Sequence, residues 1–341
     1  MVLKTDPRTD PRLAAALAAF DMDVAPPPPP VGPDSPLQDR LDFLAEVEMA
    51  LDGFHDAIFS DLPPVENVER STHTIKGVDG NDVHLYIHQP KQATGLLPCV
   101  YHIHGGGMVV LEATGSNCER WRNELAALGL VVIGVEFRNG AGKLGNHPFP
   151  SGLHDCQSGL EWTFQNKAEL GISKIIVHGE SGGANLGLAL SLKSKQEGKL
   201  EQIDGVYAMC PYVSGAYKNR NPSLTSLFEN EEYFFSTSML AILASVYDPE
   251  GSNQDNPFCW PLKAELETLQ GLPPHVVSVN ELDPLRDEGM EYYRKLLSAG
   301  VSAYSRMVMG TCHCADQDFR KAMPEVFAAT IRDIQGFAYS L

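Results

Sequence analysis

From Ser71 onward, short apolar runs alternate with stretches of helical periodicity, and this alternation limits the fold more than any other feature of the chain. The runs Cys99 to Ile103, Val131 to Phe137, Ile175 to Val177, Val206 to Cys210, Val276 to Val279 and Tyr304 to Val308 have strand length and little polar interruption. Helix candidates fall between and after them, at Ser116 to Leu128, Leu153 to Leu170, Gly183 to Gln196, Asp287 to Ala299 and Phe319 to Gly336. Strands apolar on both faces and separated by helices predict an α/β fold, with a mostly parallel central sheet and helices on both faces. Thr74 to Val78 and Asp82 to His88 add two β-like runs joined through Asp79-Gly80, a hairpin signal.

Two intervals break the rhythm. Residues 1–70 read as a helical layer: Leu13 to Phe20 is helix-prone, Pro26 to Pro30 is a stiff spacer, and Leu41 to Phe59 has apolar residues at helical spacing. Residues 214–262 contain the aromatic segment Phe228 to Phe235 and the apolar helix Met239 to Tyr247, and read as an insertion. The core then consists of 71–213 and 263–341. No internal repeat is present.

With 26 basic and 44 acidic side chains, the formal charge is −18. Such a surface repels phosphate backbones and anionic lipid, and no basic patch offsets it, so neither nucleic acid nor stable membrane association is expected. No stretch approaches the ~18 apolar residues of a membrane span, and the N-terminus lacks the order of a secretory signal. Seven cysteines without a CxxC pair suggest neither a disulfide framework nor a zinc site. The expectation is a reduced, cytoplasmic protein.

Gly179-Glu180-Ser181-Gly182-Gly183 follows the strand Lys174 to His178 and precedes a helix. This is the setting a nucleophile elbow requires: a sharp strand-to-helix turn with flanking glycines that let neighbouring elements approach. His104-Gly105-Gly106-Gly107 follows an earlier strand, which places it at the same sheet edge as Ser181. Amides of Gly106, Gly107 and Gly182 are therefore candidates for an oxyanion hole. A serine hydroxyl needs an imidazole to take its proton and a carboxylate to orient that imidazole. His313, after the last strand, and Asp283, after the preceding one, give the order Ser, Asp, His. Glu281, Asp287 and Glu288 compete for the acid role, although the last two suit the first turn of the following helix. His102, His147, His154 and His178 are expected to be structural, and His104 to shape its loop. Cys312 and Cys314 read as thiol neighbours of His313, not metal ligands.

At these residues the chain resembles the hormone-sensitive lipase family of α/β-hydrolases. The resemblance runs nearly end to end. Its longest strings are Thr5 to Arg12, the Pro26 to Pro30 run, His147 to Gly152, the elbow and Asn280 to Gly289, and they resemble a lactone-opening member most. The family implies an α/β-hydrolase fold with a helical cap, to which residues 1–70 and 214–262 would correspond. It implies Ser181 as nucleophile, Asp283 as orienter, His313 as base and Gly106, Gly107 and Gly182 as oxyanion donors. Two departures stand out. The usual Asp-Ser-Ala is Glu180-Ser181-Gly182, which suggests a looser backbone, and Tyr-Arg-Leu-Ala-Pro is Phe137-Arg138-Asn139-Gly140-Ala141, expected to change the pocket wall.

The expected activity is hydrolysis of short- or medium-chain esters or lactones, with no metal or organic cofactor. Phe228, Tyr233, Phe234, Phe235, Met239 and Tyr247 are candidates to line an acyl or macrocycle pocket. Acyl transfer by the same residues is one alternative, and a non-catalytic small-ligand-binding protein is another. Tyr304 to Phe337 reads either as a homodimer surface or as an ordinary buried element.

Overall fold

A computed structural model describes residues 1–341. Its eight strands are β1 (Val68–Lys76), β2 (Asp82–Pro90), β3 (Leu97–Ile103), β4 (Val131–Val135), β5 (Ile172–Glu180), β6 (Gly205–Met209), β7 (His275–Asn280) and β8 (Ala303–Val308). They form one sheet in the order β1-β2-β4-β3-β5-β6-β7-β8. The pairs β1/β2 and β2/β4 are antiparallel and all others parallel.

Helices are α1 (Pro11–Ala18), α2 (Leu37–Phe59), α3 (Ser116–Ala127), α4 (Ser151–Gln165), α5 (Gly182–Gln196), α6 (Ser226–Glu229), α7 (Thr237–Tyr247), α8 (Leu266–Leu269), α9 (Arg286–Ser298), α10 (Ala315–Asp318) and α11 (Pro324–Ser340). The helix expected over Phe319 to Gly336 begins later and runs further, and the separate short α10 ends before Phe319. α11 starts at Pro324, whose fixed φ and missing N–H suit a first helical position.

Alternation along the central strands explains the two-sided core. Tyr101, Ile133 and Val177 pack with α4, α5 and α9 on one face, while Val100, Val132 and Ile176 pack with Trp121 of α3 and Ile331 and Ile334 of α11 on the other. A third cluster joins Leu13, Leu17 and Phe54 from the N-terminal helices to Phe234, Leu282, Cys312 and Phe319. It covers the loops after β7 and β8. Arg40 of α2 also donates to the Ser245 carbonyl and hydroxyl of α7, each at 2.7 Å. Thus residues before β1 and residues between β6 and β7 meet over the carboxyl ends of the strands. No helix is long and apolar enough to cross a membrane.

Candidate active site

Ser181 alone makes the turn between β5 and α5, with φ 55° and ψ −116°. A positive φ at a non-glycine residue costs about 1–3 kcal/mol unless its surroundings hold it. Here the Ser181 N–H donates to the Met209 carbonyl at 2.9 Å, and its own carbonyl accepts from Asn185 and Tyr212. The neighbouring strand and the first turn of α5 therefore fix the side chain at the positive end of a helix.

Gly105 to Gly107 form the loop leaving β3. Gly106 has φ 97°, and a Cβ there would lie 2.0 Å from the Val110 carbonyl oxygen, so only glycine fits. The amides of Gly106 and Gly107 donate to no backbone carbonyl. Gly182 opens α5, where amides lack an intrahelical acceptor. Its backbone is not the looser one expected. It is buried in the helix, and an added Cβ would fall 2.7 Å from both N and Cα of Gly107. The two chain segments touch at that point, which leaves no room for a side chain there.

Glu180 has its own physical reason. One carboxylate oxygen accepts from His102 Nε2 at 3.0 Å and the other from the Gly105 amide at 3.0 Å. Burial opposes its charge, yet His102, with smaller help from His178 and His104, holds its pKa down to about 2. The elbow residue before the serine thus ties down the start of the glycine loop, a link that no motif in the sequence announces. His104 bonds its own loop at the Gly105 carbonyl and stacks on Phe137 at 4.3 Å. His178 is engaged by Trp121 and the Tyr207 carbonyl, and His154 lies at the surface beside Asp79.

His313 sits between β8 and α10, and its Nδ1 is 2.7 Å from Asp283 Oδ2. Asp283 is fully buried, and its Oδ1 accepts from the Leu285 amide at 2.9 Å. Two further bonds join these loops: Asn280 donates to Thr311 Oγ1 and the Leu282 amide to the Thr311 carbonyl. The rival acids are engaged elsewhere. Glu281 accepts from the Gly310 amide, Asp287 from Thr225 and Ser226, and Glu288 from Val213, Ser214 and Tyr217. Burial works against an imidazolium at His313, but the Asp283 carboxylate and the adjacent Cys210 sulfur outweigh it and raise its pKa well above the ordinary value. Cys314 and Cys210 are the thiols beside this ring, with their sulfurs 3.2 Å apart, whereas Cys312 packs into the cluster under α1. Cys210 lies about a hundred residues away in sequence, so only the sheet order brings it here.

Ser181 and His313 open onto one cavity, also lined by Gly106 and Gly107, with about 760 Å³ of space including its mouth. No hydrogen bond joins the hydroxyl to the imidazole in this structure, and proton transfer requires them to close to about 3 Å. Of the six aromatic and methionine candidates, Phe234, Phe235 and Met239 line the cavity. Tyr233 instead bonds Asp6, Tyr247 packs on Phe149 and Trp260, and Phe228 is largely exposed. Phe137 to Ala141 do not form the wall. Asn139 donates to the Leu111 carbonyl and so braces a wall residue from behind. Walls that sequence reasoning missed come from α2 and α10: Val47, Leu51, His55, Gln317 and Asp318.

A family model described as the alpha/beta hydrolase fold matches residues 100–317. The chain belongs to the α/β-hydrolase family. Among solved structures this hydrolase is similar to brefeldin A esterase, described as a bacterial homologue of human hormone-sensitive lipase. That match has TM-score 0.96 and 42% identity, covering 99% of this chain and 95% of the other. Esterase Est22 matches with TM-score 0.88 and 37% identity over 99% of both chains. Carboxylesterase NlhH of Mycobacterium tuberculosis (strain ATCC 25618 / H37Rv) is 28% identical over 71% of this chain and 72% of its own. These relatives place the α/β-hydrolase with the carboxylic ester hydrolases.

Proposed function

We propose that this α/β-hydrolase is a serine carboxylesterase that opens short- or medium-chain esters or lactones through an acyl-enzyme. The observation that carries this reading is a strained serine and a carboxylate-bound histidine facing one apolar cavity beside unpaired amides. His313 would take the Ser181 proton, and the Ser181 oxygen would attack the ester carbonyl. The amides of Gly106, Gly107 and Gly182 would receive the negative charge that develops on the carbonyl oxygen. The imidazolium, steadied by Asp283, then protonates the leaving alcohol. A water that gives its proton to His313 releases the acid and restores the serine. Each of these steps uses only groups of this chain, substrate and water.

We further propose that residues 1–70 and 214–262 cap this site. Their support is the contact between α2 and α7 above the strand ends and the apolar lining both supply. The cap limits entry to single small esters and disfavours emulsified substrate.

A test combines a p-nitrophenyl ester series from acetate to decanoate with covalent labelling by a fluorophosphonate. Turnover of the short members and one phosphonyl group on Ser181 are expected; a protein that neither turns over the series nor takes the label would overturn the reading. Product analysis with an added alcohol separates hydrolysis from acyl transfer.

Gly182→Ala provides a second check. The new methyl meets backbone atoms of Gly107 and Met108 at 2.6–2.7 Å, which cannot rotate away, so the main chain of the loop must shift. We expect kcat to fall about 10- to 100-fold, less than the loss of a whole oxyanion donor, with a smaller change in KM. An unchanged kcat would detach these amides from the reaction.

A further inference from the structure

We infer that the cavity over Ser181 contains a polar subsite, formed by Gln317, Asp318 and His55, that recognises a neutral hydroxyl or keto oxygen carried by the substrate apart from its reacting ester. This rests on the esterase reading above and narrows the substrate class to oxygen-functionalised aliphatic esters or lactones.

The first observation is Gln317. It lines the cavity and is 1% exposed, yet neither its amide nitrogen nor its amide oxygen has a hydrogen-bond partner in the protein. Buried amides are nearly always paired, because leaving both the donors and the acceptor unused forfeits their hydration without return. An unpaired amide on a residue of the cavity wall regains both kinds of bond by turning toward a ligand that offers a donor and an acceptor. A hydroxyl does so.

The second observation is the company Gln317 keeps. Asp318 follows it on α10 and is buried, and the basic side chain facing its carboxylate, His55, has Nε2 3.9 Å away, too far for a hydrogen bond. Burial, reinforced by the negative Glu180, raises the Asp318 pKa well above its ordinary value, which favours the protonated carboxyl. Burial likewise holds His55 down to about 4, so the ring is neutral at pH 7. These three side chains therefore offer donors and acceptors, with the neutral forms of Asp318 and His55 favoured. Such a surface favours a neutral oxygen and gives no counter-charge to a carboxylate or an ammonium group.

The third observation is the grading of α2. Val47, Leu51 and His55 are spaced by four and all line the cavity, so one helix face turns from apolar to polar about 6 Å beyond Leu51. Across from it, Met239, Leu240 and Leu243 of α7 extend the apolar part. An aliphatic chain against Leu51 and α7, with an oxygen function at the Gln317 end, satisfies both regions. A plain alkyl ester leaves the amide unpaired, and it is turned over less well for that reason.

The experiment compares ethyl hexanoate with its 3-, 4-, 5- and 6-hydroxy derivatives, and butyl butyrate with 4-hydroxybutyl butyrate, so that either side of the ester can carry the oxygen. Specificity constants are measured for the wild-type protein, Gln317→Met and His55→Leu. Dissociation constants for the same esters are measured by calorimetry in Ser181→Ala and in its combinations with each substitution. At least one hydroxylated ester is expected to exceed its parent about tenfold in the wild type, in kcat/KM and in affinity. That ratio should fall to near one in Gln317→Met and shrink in His55→Leu.

Equal constants for hydroxylated and parent esters in the wild type would overturn the subsite, as would a preference that survives both substitutions. Absent hydrolysis with an intact difference in affinity would remove the esterase reading and leave the subsite. Ready hydrolysis with no difference would do the reverse, and neither hydrolysis nor selective binding would remove both. If one variant fails to fold, the other and the wild-type ratio still decide.

Discussion

Ser181→Ala should lower kcat for p-nitrophenyl butyrate by about 10⁴- to 10⁶-fold with little change in KM. The size follows from what the substitution leaves behind. The cavity walls, the free amides of Gly106 and Gly107, and the Asp283–His313 pair all remain, so ester binding and some carbonyl polarisation persist. What disappears is the only hydroxyl on the elbow and with it the proposed acyl-enzyme. The substituted alanine must also hold φ near 55°, which raises the backbone strain but removes no hydrogen bond, because the restraining bonds are all main-chain. Melting temperature should therefore move little while the steady-state rate collapses. Retention of most activity in a sample free of contaminating esterase would assign the chemistry to another group.

Asp283→Asn should cost about 10⁴-fold in kcat, and its pH profile should reveal why. Oδ1 of Asp283 accepts a hydrogen bond from the Leu285 amide, so an asparagine must keep its carbonyl oxygen there. Its NH₂ group then occupies the Oδ2 position, 2.7 Å from His313 Nδ1. Two donors cannot face each other, so the imidazole shifts its proton to Nε2 and loses the lone pair needed for the serine proton.

The sign of the pH effect follows from the same pair. In the proposed mechanism neutral His313 is the active form. Asp283 and Cys210 raise its pKa above the usual 6.5, so wild-type kcat/KM should rise with pH through that raised value and fade below it. Removing the carboxylate leaves burial, which favours the neutral ring, and the acid limb should move to lower pH. A residual activity with an unmoved limb would show that His313 does not titrate in the reaction.

The buried strands were legible because both faces of β3, β4 and β5 carry apolar side chains, which forces near-continuous hydrophobic runs. β1 was only half legible. Its segment Glu69 to His73 lies on an exposed edge, where burial imposes no alternation, and after the buried Val68 the next apolar residue is Ile75. The elbow, the glycine loop and the loops bearing Asp283 and His313 could be placed because each follows a strand, and a parallel sheet gathers such loops at one edge.

The cavity walls could not be read in this way. Met239 lines the cavity and Tyr247 does not, although both lie on the same apolar helix, because α7 turns one face to the site and the other to the core. Gln317 carried no signal at all, since a glutamine on a short polar helix suggests solvent. Only the packing of α10 beneath the N-terminal helices buries it. The nearest clue to His55 was the four-residue spacing with Val47 and Leu51.

The contact between Gly182 and Gly107 has a consequence for how such an enzyme can diverge. A methyl on Gly182, beside the proposed nucleophile, has no room against the main chain of Gly107, so the spacing of these two segments is set by bare backbone. Drift or directed evolution toward bulkier molecules must proceed through the surrounding helices, and variants isolated for altered selectivity should cluster there while the floor stays invariant.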